Sequence, residues 1–361
     1  MKQINLILLL LLFLISNYGW AQFTSKVTGE KNEELKDSLE VAEYRYVLPF
    51  FGEEVQRKGY DLPKPVGMML GVYIAEQDLK IENLSVGFGD NELVDISDLV
   101  VFSDLSNNVN VYTFRPDVWI FPFMNVYGIL NKFNSTTYIA LSEPFALTIP
   151  EVRNDGYGGG FGTTLAYGYG HLWFSGNFNF AWSKTPALLK ATQSFSTSLR
   201  VGSTVYLGQR RHGLNFWVGA NYIDYFGSNG GTYDMTQLIP DDGELLEDLR
   251  GALQDMLDGV NERYEDFCSS PGNGPKCTVL DPVIEEFKGR VEDKISGIEF
   301  PEELPINYTF NSSPADRWNM VAGAQYEFNK RWQFRVEWGF LGSRKSFLMN
   351  LNYRLGFKKK Y

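Results

Sequence analysis

RWQFRVEW, residues 331–338, sets Trp332, Phe334, Val336 and Trp338 on one parity and Arg331, Gln333, Arg335 and Glu337 on the other. Side chains along a strand alternate between its two faces, so one face here is aromatic and aliphatic and the other carries full charges. A half-buried strand of a soluble sandwich also alternates, apolar toward the core and polar toward water. The choice between environments rests on how many strands share the pattern.

It recurs on both sides. Downstream, Phe347, Met349, Leu351, Tyr353, Leu355 and Phe357 alternate with Ser346, Asn350, Asn352, Arg354 and Gly356, with Leu348 the exception. Upstream, WNMVAGAQYEF (318–328) precedes a tight-turn signal at Asn329-Lys330. The same dyad runs through HGLNFWVGANY, QSFSTSLRVGSTVYL and HLWFSGNFNFAW. YGGGFGTTLAYGYG, TTYIALSEPFALTI, FMNVYGILN, NVNVYTFRPDVWI, LKIENLSVGF and VGMMLGVYI also read as strands, giving about 12, an even number as in single-chain bacterial barrels.

A sandwich needs two sheets to cover its large apolar faces. Here nearly every strand has a polar face of Asn, Ser, Gly, Arg and Glu, and its opposite face carries Trp, Phe and Tyr toward the ends. Lipid outside and a polar lumen inside account for both faces. The expected fold is an all-β membrane protein, an antiparallel transmembrane β-barrel. Trp318, Trp332, Trp338 and Tyr353 then read as interfacial belts. The alternative fold is a secreted β-sandwich.

The N-terminus agrees. MKQINLILLLLLFLISNYGWAQ combines Lys2, an apolar run over 4–15 and a small residue at Ala21, the pattern of a secretory signal peptide. The run is too short for a membrane helix of about 20 residues, and no later stretch approaches that length. Of the 361 residues, 15% are aromatic and 35 are glycine, yet the mean hydropathy is only −0.22. That suits strands with one wet face.

The net charge of −11 is local in origin. Residues 241–303 hold 18 acidic and 6 basic side chains, a balance of −12, which leaves the rest of the mature chain close to neutral. Within this stretch Leu246, Leu249, Leu253, Met256, Leu257, Val260 and Tyr264 recur at helical spacing, as do Ile284, Phe287, Val291, Ile295 and Ile298. A helical hairpin is expected there, stapled by Cys268 and Cys277, which lie close together across FCSSPGNGPKC in an exported chain. The two histidines, His171 and His212, are distant in sequence, so a zinc site is not expected.

The expected organisation is a signal peptide at 1–22, an N-terminal periplasmic or plug segment at 23–64, and barrel strands at 65–224. An acidic helical insertion at 225–315, last strands at 316–357 and a basic tail at 358–361 follow. If the chain ends facing the periplasm, 329–330 and 208–213 are short periplasmic turns and the insertion is outside. One region fits this parity badly: 90–107 becomes a long periplasmic connection and Pro122-Phe123 an abrupt outer turn.

Parity points Arg115, Asp117, Arg200, Glu327, Arg335, Glu337 and Arg354 into the lumen. Charges of both signs either line a permeation path or pair across strands and lock the barrel. His171 and Ser175 share a parity, but no orienting acid completes a hydrolase triad. GYGGGFG lacks the spacing and the strand-to-helix context of a dinucleotide fingerprint. No catalytic residue, metal or cofactor is expected, and no nucleic-acid partner. Two classes of function remain. One is a narrow pore or transporter for small solutes; the other is a surface binding or structural barrel acting through the acidic insertion, which could gather a cationic ligand or a basic protein.

Taken together, GYDLPKPVGMML, DVWIFPFMNVYG, GYGGGFGTTLAYGYG, LRVGSTVYL with NFWVGANY, and WNMVAGAQYEFNKRW followed by NYRLGF resemble an uncharacterised family of Gram-negative outer-membrane barrel proteins over about residues 59–357. The resemblance implies the cell outer membrane, contact with its lipids, and the barrel fold; it implies no activity. NYRLGF also looks like the aromatic-ended last strand that the barrel assembly machinery reads, with the departure that Lys358, Lys359, Lys360 and Tyr361 follow it.

Overall fold

The computed structural model describes residues 37 and 43–359, apart from 89–92, 98–99, 144–146, 170, 187, 208–211, 228 and most of 235–304. The expected signal peptide and most of the apolar stripes expected in the insertion therefore lie outside the described residues. In chain order come a short helix α1 (Gly52–Arg57), β1 (Val66–Phe88), the two-residue β2 (Val94–Asp95), β3 (Val101–Phe121), β4 (Met124–Glu143), β5 (Leu147–Tyr169) and β6 (Leu172–Lys184). Then follow β7 (Thr192–Leu207), β8 (His212–Phe226), β9 (Asn229–Asp234), β10 (Pro305–Pro314), β11 (Trp318–Glu327), β12 (Trp332–Phe340) and β13 (Arg344–Leu355). No described helix is long and apolar enough to cross a membrane.

Ten strands close into an antiparallel barrel, with β9 and β10 added at one rim. Closure is made by β1, which pairs with β13 from Val66↔Leu355 to Gln77↔Arg344 and with β3 from Val66↔Val118 to Asp78↔Ser106. Past Asp78, β1 leaves the wall and pairs with β10, which pairs with β9. A register shift between Glu82 and Ser85, with Asn83 at φ 54°, bends it there. Asn tolerates that left-handed conformation better than most residues.

Two expected strands are therefore one. VGMMLGVYI and LKIENLSVGF are joined by AEQD, which looks like a turn by composition but keeps the alternation, with Ala75 and Gln77 buried between the exposed Glu76 and Asp78. TTYIALSEPFALTI divides instead: 136–143 completes β4 and 147–149 begins β5. The combined effect removes the parity conflict. Pro122-Phe123 joins β3 to β4 at the same end as the start of β1 and the end of β13, and β1 finishes at the opposite end.

At this end the strands are joined over few residues: 122–123, 170–171, 208–211 and 328–331. At the last of these the Asn329 side chain accepts from the backbone of Arg331 (2.7 Å) and Trp332 (3.0 Å), an Asx turn that reverses the chain. The opposite end carries the insertion between β8 and β11. Among its described residues, 258–262, 264–269, 277–278, 281–282, 284–285 and 288–289 are helical. The Cys268 and Cys277 sulfurs lie at disulfide distance with Cα atoms 5.8 Å apart, and the Tyr264 hydroxyl bonds to Cys277 O and to Asp281, joining the two arms.

The barrel is inside out relative to a soluble protein. Leu70, Phe161 and Trp338 are 61%, 59% and 62% exposed on its outer face, while Asp117, Asn215, Glu337, Asn350 and Arg354 are buried within. On β6 the apolar outer row runs from Leu172 to Trp182, about 33 Å of strand at 3.3 Å per residue. Tilted by about 40°, that covers about 25 Å along the axis, the height of a lipid-facing band.

Candidate functional site

The bore is built from inward positions of the ten strands, and polar side chains fill it in layers. In the middle, Arg200 on β7 meets Glu337 on β12 through two parallel bonds, Nε to Oε2 at 2.6 Å and Nη2 to Oε1 at 2.8 Å. Trp217 on β8 donates its indole N–H to the same carboxylate at 2.7 Å. Both charged side chains are buried. Such a fork holds its geometry as well as its charge.

Toward the terminal end a second layer forms. Arg354 Nη2 donates to Asp117 Oδ1 at 3.1 Å, Asn125 donates to the same oxygen at 2.8 Å, and Arg354 Nε donates to Lys64 O at 2.7 Å. Glu327 accepts from Gln325 (3.1 Å) and Gln333 (3.3 Å). Arg115 lies over the Tyr127 ring at 4.2 Å and Arg335 over Trp217 at 4.9 Å, each a cation held by an aromatic face. All seven residues singled out by parity thus lie along the bore, in layers linked by ion pairs and by the hydrogen bonds of Asn and Gln. Between the layers is a cavity of ≈ 40 Å³ lined by Arg115, Asp117, Glu327, Arg335 and Arg354. At about 10–15 Å³ of such volume per water, it holds a few water-sized particles.

The N-terminal segment completes the closed end. Residues 45–47 pair with the chain end, Val47 N donating to Phe357 O at 3.1 Å and Lys359 N to Arg45 O at 2.9 Å. Tyr44, Val55, Tyr60 and Leu62 form a small apolar core beneath the barrel. From there Tyr60 reaches Gly168 O at 3.4 Å, and Asp61 pairs with Lys330 at 2.6 Å. Burial, and then the charges of Arg331, Lys330 and Lys358, hold the Lys64 ammonium below the usual lysine range.

The glycines of GYGGGFG serve the wall. A Cβ at Gly156, Gly158 or Gly162 would strike the side chain of Phe133, Asn131 or Tyr127 of β4, so these glycines make room for the neighbouring strand's inward side chains. At Gly159, which faces outward, a Cβ would meet only ordinary contacts. His171 is exposed at the turn ahead of β6, whereas Ser175 is buried in the bore. Among the described residues no group of three or more His, Cys, Asp or Glu is placed to hold a metal ion.

Parity alone passed over three contributors. Trp217 shares the Asn215 and Gly219 face, so the same alternation marks it as inward. Trp119 and Trp173 are buried on inward positions as well. The signal that could have found them is a Trp flanked by outward aliphatic or aromatic residues.

A closed antiparallel barrel with an apolar exterior and a polar, filled interior has the architecture of a transmembrane β-barrel. No protein family and no curated protein matches the sequence. Solved structures superpose loosely. The β domain of the Bordetella autotransporter BrkA has a TM-score of 0.36 and 8% identity over 81% of this chain and 100% of that one. The Ralstonia pickettii toluene transporter TbuX has a TM-score of 0.27 and 9% identity over 81% and 90%. A Pseudomonas aeruginosa FadL homologue has a TM-score of 0.22 and 9% identity over 92% and 98%. Superpositions this loose carry no function across, and the chain's own residues bear the reading that follows.

Proposed function

We propose that the chain resides in the outer membrane of a Gram-negative cell as a barrel closed at its periplasmic end, presenting its opposite rim and the acidic insertion to the outside. The observation that carries this is the filled bore: the Arg200–Glu337–Trp217 and Arg354–Asp117–Asn125 layers, with residues 43–65 packed beneath them. The exterior apolar band supports the membrane location, and the short turns at the terminal end support its orientation. On this reading the barrel anchors and displays. The insertion, with 18 acidic against 6 basic side chains over 241–303, draws a cationic ligand or a basic protein by an attraction that salt weakens.

A narrow solute pathway is the second reading. It is favoured by the half-exposed Ser194, Ser196 and Ser198 at inward positions beyond Arg200, where the lining is small and polar. Passage would require the layers below to part. Planar-bilayer recording of the purified, folded protein decides between the two. The closed barrel is silent; a steady unitary conductance at ordinary voltages would overturn it.

A further inference from the structure

Toward the rim opposite the terminal end, the apolar outer face gives way to charge. On β4 the outward row runs Val126, Gly128, Leu130 and then Lys132; on β6 it runs Phe178, Phe180, Trp182 and then Lys184. Register sets both lysines on one line across the sheet, Tyr112↔Lys132↔Tyr157↔Lys184. Two strand spacings put their backbones about 10 Å apart. Both lysines are exposed, and among the described residues neither makes an ion pair. Two other cations near that rim face carboxylates: Arg317 pairs with Asp224 at 3.2 Å, and Lys345 stands across from Glu76. Asp155, the next outward residue beyond Tyr157, accepts from Asn134 at 2.6 Å.

Below the lysines the outer face is hollow. Val66 pairs with Val118, but β3 runs on to Phe121; Met124 pairs with Leu165, but β5 runs on to Tyr169; Leu172 pairs with Ser203, but β7 runs on to Leu207. Rows of paired residues therefore climb away from the terminal end from β1 to β7. A line along the barrel axis descends diagonally across them. With strands tilted by about 40° it crosses one strand for about every two residues, about 6.6 Å along a strand against about 4.8 Å between strands. From Lys184 that line passes over Gly159 and Gly128 to Val118. Gly159 stands between Leu130 and Trp182, and Gly128 beside Phe161, so two absent side chains leave a furrow among large ones. The furrow opens into a depression of ≈ 810 Å³ lined by Met68, Val118, Gly128, Phe161, Thr163 and Phe178.

We propose that this face binds a phosphorylated glycolipid of the outer leaflet, its phosphates drawn to Lys132 and Lys184 and an acyl chain laid along Gly159 and Gly128 into the depression. Long lysine stems lie on apolar surface and carry their ammonium groups to the interface, where a phosphate supplies the counter-charge that no carboxylate does. Phosphates at the two ends of a disaccharide match lysines about 10 Å apart, whereas a phosphodiester headgroup carries one. The inference rests on the orientation proposed above, and not on whether the insertion binds or the bore conducts.

The test is mass spectrometry of the intact mature protein in neutral detergent, titrated with a diphosphorylated, acylated glucosamine disaccharide, with its dephosphorylated counterpart, or with phosphatidylglycerol. The diphosphorylated lipid should be retained saturably, about tenfold or more tighter than the other two. Lys132→Ala with Lys184→Ala should remove that advantage, and Lys345→Ala should leave it. Gly128→Leu with Gly159→Leu fills the furrow and should weaken retention several-fold. A Cβ at either glycine meets nothing closer than 3.7 Å, so the boiling-dependent gel shift of this variant should persist. Equal retention of the dephosphorylated lipid or of phosphatidylglycerol would overturn the site, as would an advantage that survives loss of both lysines or undiminished retention by the leucine variant. A shifting band with no lipid preference overturns this site alone; a protein with no boiling-dependent shift overturns the membrane-barrel reading beneath it.

Discussion

Arg200 and Glu337 sit 137 positions apart in sequence and form a buried ion pair of the bore. Alternation along QSFSTSLRVGSTVYL and RWQFRVEW is enough to turn both inward, because a strand has only two faces. Which charge meets which is not legible there, since partner choice depends on register across β8 and β11, strands that no local pattern orders. The pairing has a consequence that parity alone would miss. Glu337→Gln leaves a buried guanidinium without its counter-charge, a loss of about 3–5 kcal/mol, whereas Arg200→Met with Glu337→Met removes both charges and should recover much of it. Urea titration of the folded gel band measures this. Equal or greater loss in the double variant would mean that the two charges do not act as a pair.

At the scale of elements, strands with clean alternation were readable and their junctions were not. AEQD within β1 imitates a turn by composition, and only pairing with both β13 and β3 shows that the chain runs straight through it. The sequence alone leaves the N-terminal segment open between a periplasmic tail and a plug. It packs at the terminal end because Tyr44, Val55, Tyr60 and Leu62 bury one another there, a contact set too short and irregular for any periodicity to reveal. The insertion's helical spacing was visible, but its side of the membrane follows only from the direction of the strands that flank it. With the native pair replaced by serine, Glu262→Cys on intact cells should react with a membrane-impermeant maleimide. Reaction only after the outer membrane is broken would place the insertion in the periplasm and reverse the orientation. Where Cys268 and Cys277 are bonded, so short a loop gives about 2 to 3 kcal/mol toward holding the two arms together.

Over the whole molecule, one physical requirement organises the sequence: backbone groups in lipid must be satisfied within the protein, and a closed barrel does this with no free edge. The apolar residues are therefore spent on the outside, the polar ones fill the bore, and the mean hydropathy of −0.22 conceals a membrane protein from a helix-based reading. What the sequence could not give was the state of the lumen, because filling depends on how inward side chains from all ten strands meet. The most direct test of the central claim, a membrane-spanning barrel with its apolar face outward, is gel mobility of the protein taken from the outer-membrane fraction, with and without boiling, beside its far-UV circular dichroism in detergent. The account predicts a boiling-dependent shift in mobility and a β-dominated spectrum; recovery of the chain in the soluble periplasmic fraction, or a helix-dominated spectrum, would contradict it.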